Sequence, residues 1–216
     1  MKILDVGGNR NTYKKATHII DFRPILGGCK LSYVQMDICS GKWPYQDKEF
    51  DYVWCSNTLE DITDPVSVCK EMMRVGKAGK IIVPSPLTEC TIGVEKRYFE
   101  NKDIRGWTEK YAGFWHHRWL CFISDNEISF LQKTPITHIF DWTSHIPDQA
   151  KENMWCKILD WEGSFKVSEE KMPSDGFMHI YNILKEVFGI DPIQGKKVYP
   201  GGKNNDNHSN PHKKEK

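Results

Sequence analysis

The sequence has no surplus of either charge. Thirty lysines and arginines stand against 29 aspartates and glutamates, a formal net charge of +1. That balance gives no field to draw in nucleic acid or an acidic membrane. No apolar run approaches the roughly 20 residues of a membrane-spanning helix. The first residues read as a strand and not as a signal peptide. The seven cysteines are scattered without a single Cys-x-x-Cys pair, which removes the usual zinc framework. Cys55 and Cys69 fall inside apolar patterns, where a free cysteine behaves as a small hydrophobe. The expectation is a soluble, cytoplasmic protein with no nucleic-acid or membrane partner and no metal site.

What is present is a series of short apolar runs separated by turns. Ile3-Leu4-Asp5-Val6 suits a strand buried on both faces, as in a parallel sheet, and Gly7-Gly8 permits a sharp turn after it. Further strands are expected at His18–Asp21, Ser32–Asp37, Phe50–Cys55 and Lys80–Val83. Asp64-Pro65 starts a helix by capping it and filling its first position. That helix shows one apolar face (Val66, Val68, Cys69, Met72, Met73, Val75) and stops at Gly76. The first two connections are stunted. Residues 7–16 are about ten in number, near the lower limit for a parallel crossover, and 22–30 carry Pro24 and Gly27-Gly28. One sheet face is therefore expected to be bare unless a helix over 177–188 or a second chain, as in a homodimer, covers it.

Residues 87–122 begin polar and turn aromatic, and read as an insertion over the carboxyl edge of the sheet, after its fifth strand. A strand is expected at 128–132. A hairpin is expected from 154–160 and 164–167 around Glu162-Gly163. The last helix starts at Asp175 and ends at Gly189. The length of 216 residues suits one domain, placed at 1–195. The Gly, Asn, His and Lys of 196–216 lack the apolar content to fold and are expected to form a disordered tail.

Strand, glycine turn and second strand ending in a carboxylate (Asp21) is how an α/β protein starts a nucleotide-like site. Each part also has a plainer use: a strand-terminal acid often just braces a turn, and Ser56 and Asn57 can cap the turn that follows them. For acid–base chemistry His116 and His117 are the best candidates, since imidazole titrates near neutrality, and Asp61 and Glu60 are weaker ones. A histidine pair among tryptophans more often serves packing or a backbone hydrogen bond. The aromatics of 107–119 could stack on a sugar or ring, or form core.

Residues 1–86 closely resemble the class I S-adenosylmethionine (SAM)-dependent methyltransferases, nearest to the small type 11-like enzymes. The resemblance lies in Ile3-Leu4-Asp5-Val6-Gly7-Gly8, Asp21, Asp37-Ile38, Trp43-Pro44-Tyr45, Phe50-Asp51-Tyr52-Val53, Ser56-Asn57-Thr58-Leu59-Glu60 and Asp64-Pro65, in that order. His116-His117-Arg118-Trp119 looks like a subgroup of bacterial relatives. Asn9 and Asn11 stand where the family carries further glycines, Asp61 stands where it has histidine, and its helix before the first strand has no counterpart here.

The resemblance implies a Rossmann-like α/β fold with a mostly parallel sheet. It implies SAM as cofactor, S-adenosylhomocysteine as product, and an acceptor that is a small-molecule or glycan hydroxyl. It assigns Asp21 to the two ribose hydroxyls, and Asp37 with the Ile38 amide to the adenine. Asp5, Gly7, Gly8 and Asn9 form the loop wall, and Ser56 and Asn57 lie near the methionine tail. His116, His117 and Asp61 are the catalytic candidates. The alternative is a catalytically inactive binding or scaffold protein that keeps the fold.

Overall fold

The computed structural model describes residues 1–8, 11–24, 30–97, 111–147, 149, 154–171, 173–191, 193 and 196–197. Asn9, the centre of the expected insertion at 98–110, and the tail from 198 onward lie outside the described residues. Its main sheet is built from β1 (Ile3–Val6), β2 (His18–Asp21), β3 (Ser32–Gln35), β4 (Tyr52–Ser56), β5 (Ala78–Pro84) and β8 (Cys156–Glu162). The spatial order is β3-β2-β1-β4-β5-β8. The first five strands are parallel and β8 runs antiparallel on the far edge. This is a mixed α/β, Rossmann-like arrangement. The strand order reverses between β1 and β4, the switch point at which such sheets take ligands.

Helix α1 (Pro65–Val75) forms as its sequence predicts. Asp64 Oδ1 accepts the Ser67 amide at 2.9 Å. Val68, Cys69, Met72 and Val75 are fully buried against Val53, Cys55 and Ile81 of the main sheet, each worth about 1.5–3 kcal/mol if large and apolar.

A second sheet covers the rest of that face. It comprises β6 (Trp119–Ser124), β7 (Glu127–Gln132) and β9 (Lys166–Glu170), in the order β6-β7-β9. Side chains alternate across it: Cys121, Ile128 and Phe130 join the main core, while Leu120 and Leu131 point into a second cluster around Trp142. Because β6 is buried on both faces, its sequence shows no alternation, and the expected insertion therefore overran it: residues 119–122 belong to β6.

Two other expectations are corrected. Residues 154–160 and 164–167 do not form a hairpin. Gly163, at φ +71°, turns the chain between sheets, so β8 pairs with β5 and β9 pairs with β7. The last helix, α4 (Gly176–Phe188), does not cover the bare face of the main sheet. Its buried residues Ile180, Tyr181 and Leu184 pack with Leu120, Leu131, Trp142 and Ile136 of the short α3 (Ile136–Ile139), where Phe140 and Phe188 add further apolar surface. Asp175 stands at its N-terminus but makes no capping bond, and Gly189 ends it at φ +62°. Lys196–Lys197 (β11) pair with Ile190–Asp191 (β10).

The opposite face of the main sheet stays partly exposed, as the stunted crossovers predict. Tyr13 stacks on Trp54 of β4, with ring centroids 4.2 Å apart and planes within 6°. Farther along, Lys80 pairs with Asp160 at 3.1 Å, and Ile158 remains 52% exposed. Among the described residues no helix is long and apolar enough to cross a membrane.

Candidate functional site

The carboxyl edge of the main sheet carries two groups of polar residues, one on each side of the switch point. The first is the turn after β1. Gly7 adopts φ +76° and donates its amide to Ile20 O at 2.9 Å. A Cβ on Gly7 would lie 2.5 Å from Thr58 Oγ1, and one on Gly8 would lie 2.0 Å from Asp5 Oδ2. The first glycine therefore admits the loop that follows β4, and the second admits the side chain of Asp5. Asp5 is buried and accepts the Tyr13 amide at 2.6 Å. Burial pushes its carboxyl up to about 6; the Tyr13 N–H opposes the rise and the charge of Asp21 adds to it.

Asp21 and Asp37 end up in different surroundings. Asp21 is 2% exposed, and its Oδ1 accepts the Arg23 amide at 2.8 Å. Asp37 is exposed, and its Oδ1 accepts the Cys39 amide at 2.9 Å. Ile38 is buried, and its carbonyl takes the indole N–H of Trp43 at 3.0 Å. Ser56 is half-buried at the end of β4. Asn57 follows at φ +50° and donates its amide to Ile82 O at 2.9 Å. The chemistry of this set fits SAM: acceptor-only carboxylates stand beside a glycine turn, and the cofactor carries ribose hydroxyls, an adenine amine and an ammonium as donors.

The second group lies after β4. The Glu60 carbonyl accepts the Arg118 amide at 2.7 Å and the Trp119 amide at 3.3 Å, and Trp119 Nε1 donates to Ile62 O at 2.8 Å. These bonds pin the 57–63 loop to the start of β6 and bring the three catalytic candidates together. Asp61 Oδ1 lies 3.6 Å from His117 Nε2 and 3.9 Å from His116 Nε2. Burial raises the Asp61 carboxyl above its usual range, opposed by the two histidines.

Behind them stand residues that the sequence reading missed. His117 Nδ1 meets Glu89 Oε1 at 2.7 Å, and His116 Nδ1 lies 3.4 Å from Glu95 Oε1. Lys133 Nζ pairs with Glu89 Oε2 at 2.7 Å and donates to the carbonyls of Phe114 (2.7 Å) and Ala112 (3.2 Å). Gly113, at φ +62°, lets the backbone pass close to Glu89: a Cβ there would lie 2.5 Å from Glu89 Oε2. Burial drives the Glu89 carboxyl up, but the His117 hydrogen bond and the Lys133 charge outweigh it and hold the group low. Glu89 sits in α2 (Pro86–Cys90), whose five residues are all buried. The only signal in the sequence is an acid set between Leu87 and Cys90. An open depression of about 680 Å³ lies over the cluster, bounded by Thr63, Trp115, Arg118 and Gln132 among others.

Residues 9–83 match the family model of a methyltransferase domain, type 11. No functionally curated protein matches the sequence. Among solved structures, a SAM-dependent methyltransferase from Aquifex aeolicus is 20% identical, with 40% of this chain and 57% of that chain covered, at a TM-score of 0.32. One from Mesorhizobium loti is 13% identical, with 43% and 49% covered, at 0.33. A chain from the complex between the Haloferax volcanii Trm112 methyltransferase activator and its candidate methyltransferase is 14% identical, with 76% and 82% covered, at 0.39. The chain thus spans about half the length of the first two. The family-model match begins just after β1 and its Gly7-Gly8 turn and runs through β2, β3, β4 and α1 to β5, so residues 9–83 are similar to a type 11 methyltransferase domain.

Proposed function

We propose that the protein transfers a methyl group from SAM to a hydroxyl of a small molecule or glycan. The observation that carries this is the meeting of two loops at the switch point, where Thr58 lies against Gly7 and Asp61 follows three residues later. On this reading Asp21, Asp37 and the Ile38 amide hold the ribose and adenine. The 7–8 turn, Ser56 and Asn57 hold the methionine tail. When bound, SAM supplies an electrophilic methyl carbon. The chain's own part is to place an acceptor oxygen in line with that carbon, and such positioning supplies much of the rate. The edge formed by Asp61 Oδ1 and the two histidine Nε2 atoms orients the acceptor and receives its proton. The aromatic rim at Trp115 suits a sugar or a ring.

Calorimetry with SAM and with S-adenosylhomocysteine tests the cofactor, and radiolabelled methyl transfer to a panel of sugars and small alcohols tests the acceptor. Binding of neither compound at millimolar concentration would refute the proposal. One observation favours the alternative, an inactive fold used for binding or scaffolding: Asp21 is nearly closed to solvent by its own turn. That reading predicts no turnover on the same panel.

A further inference from the structure

Asp61 Oδ1 is a buried oxygen with no hydrogen-bond partner. Two imidazole nitrogens face it, yet both stop short. At 3.6 and 3.9 Å they are beyond the 2.7–2.9 Å of a charge-assisted hydrogen bond. The three donor atoms lie within 4.8 Å of one another. Atoms that share a metal ion at 2.0–2.2 Å stand roughly 3–3.5 Å apart, close to the spacing observed.

The histidines are oriented for the same task. A metal-bound imidazole turns its other nitrogen to a carboxylate or carbonyl, which fixes its ring and raises its basicity. The His117 ring meets that condition, with Nδ1 on Glu89 at 2.7 Å, and Nδ1 of His116 faces Glu95 at 3.4 Å without a hydrogen bond; both acids are buried. Both Nε2 atoms are thereby left toward Asp61. The local charge agrees. Asp61, Glu89 and Glu95 lie around the imidazoles, and the cation Lys133 is committed to Glu89.

We propose that Asp61, His116 and His117 bind one divalent first-row transition-metal ion, with the remaining coordination positions open to the depression above. Two nitrogens and one carboxylate oxygen suit Zn²⁺, Mn²⁺ or Fe²⁺. The positions left over suit water or a hydroxyl-bearing ligand. Ion binding itself stands apart from methyl transfer. What the ion does there rests on the proposed function and changes one part of it: with the ion bound, the three atoms are taken up as ligands, so the acceptor hydroxyl would be oriented through the ion and would release its proton to water in the depression instead of to Asp61 or imidazole.

The test is calorimetric titration of the EDTA-stripped full chain with Zn²⁺ and Mn²⁺ alone, alongside visible absorption with Co²⁺. One ion per chain is expected. Asp61→Asn and His116→Ala should each abolish it, and Glu95→Gln should weaken it by about 10-fold, the usual effect of losing an outer partner. His116 is 45% exposed, so its replacement should leave the fold intact, which circular dichroism checks; His116→Gln serves as a second variant. His208→Ala/His212→Ala should leave uptake unchanged, separating the site from histidines near the C-terminus. The proposal is overturned if none of the three ions binds at millimolar concentration, or if Asp61→Asn and His116→Ala bind as the parent does. SAM titration in EDTA reads the cofactor independently, so failure of one proposal is distinguishable from failure of the other.

Discussion

The two sides of the switch point use carboxylates in opposite ways. On the side proposed for the cofactor each acid is satisfied by an amide of its own loop: Asp5 by Tyr13, Asp21 by Arg23 and Asp37 by Cys39, over sequence separations of 8, 2 and 2. On the side proposed for the acceptor the acids meet side chains from distant segments. Glu89 takes His117 across a separation of 28 and Lys133 across 44. Asp61 Oδ1 and both carboxylate oxygens of Glu60 have no hydrogen-bond partner. One side is a braced loop and the other is an assembled polar interior. Local bracing holds a shape, whereas assembled groups with unused capacity are equipped for chemistry.

The most severe way to break the acceptor side is Lys133→Ala. It leaves Glu89 buried without its cation, a change that costs about 3–5 kcal/mol. Urea denaturation should show the loss, and the cofactor side should be affected only through global stability.

Asp5→Asn sharpens the other side. The folded-state carboxyl, raised from 3.8 to about 6, holds its proton where the unfolded chain has released it. Its contribution to stability is therefore full below about pH 4 and is lost as the pH rises through 6. The change from 3.8 to about 6 is worth about 3 kcal/mol at 1.36 kcal/mol per pH unit. The stability of Asp5→Asn relative to the parent should thus improve by about that amount between pH 4 and pH 7. A flat difference would mean that Asp5 is ionised throughout.

Asp21→Asn tests whether the bracing acid also serves the cofactor. Loss of a charged hydrogen-bond partner costs about 1.5–3 kcal/mol, so SAM affinity should fall by roughly 10- to 100-fold in calorimetry while the melting temperature stays nearly constant. A drop in melting temperature with unchanged affinity would leave Asp21 as a turn residue alone.

The smallest effect is expected from Tyr13→Leu. The backbone amide that Asp5 uses remains, and only the stack on Trp54 is lost. About 0.5–1.5 kcal/mol should disappear, accompanied by a change in tryptophan fluorescence.

The same contrast explains what could be read from the sequence. Strand, turn and cap are decided within a few residues, so β1, the Gly7-Gly8 turn, the acids Asp21 and Asp37, and the Asp64-Pro65 start of α1 were all legible. The stunted crossovers were legible too, from spacing alone. The destination of α4 was not, because an apolar helix face does not state which apolar surface it meets. Nor was the break between β8 and β9, where Gly163 serves a change of sheet as readily as a hairpin. On the acceptor side His116, His117 and Asp61 could be named as candidates, but their convergence and the buried acids behind them depend on contacts between segments far apart in the chain.

The strap formed by Trp119 and Arg118 has a mechanical consequence. It ties the 57–63 loop, which extends from β4 of the main sheet, to β6 of the second sheet. Asp61 rides on one sheet and the two histidines are anchored to the other. Because the strap's bonds join Glu60 and Ile62, on either side of Asp61, to Arg118 and Trp119, which follow His117 directly, any sliding or tilting of one sheet against the other would have to strain the strap before it changed the spacing within the triad. The strap thus keeps the triad in register across the seam, and whatever bridges the triad's three atoms would also fasten the sheets.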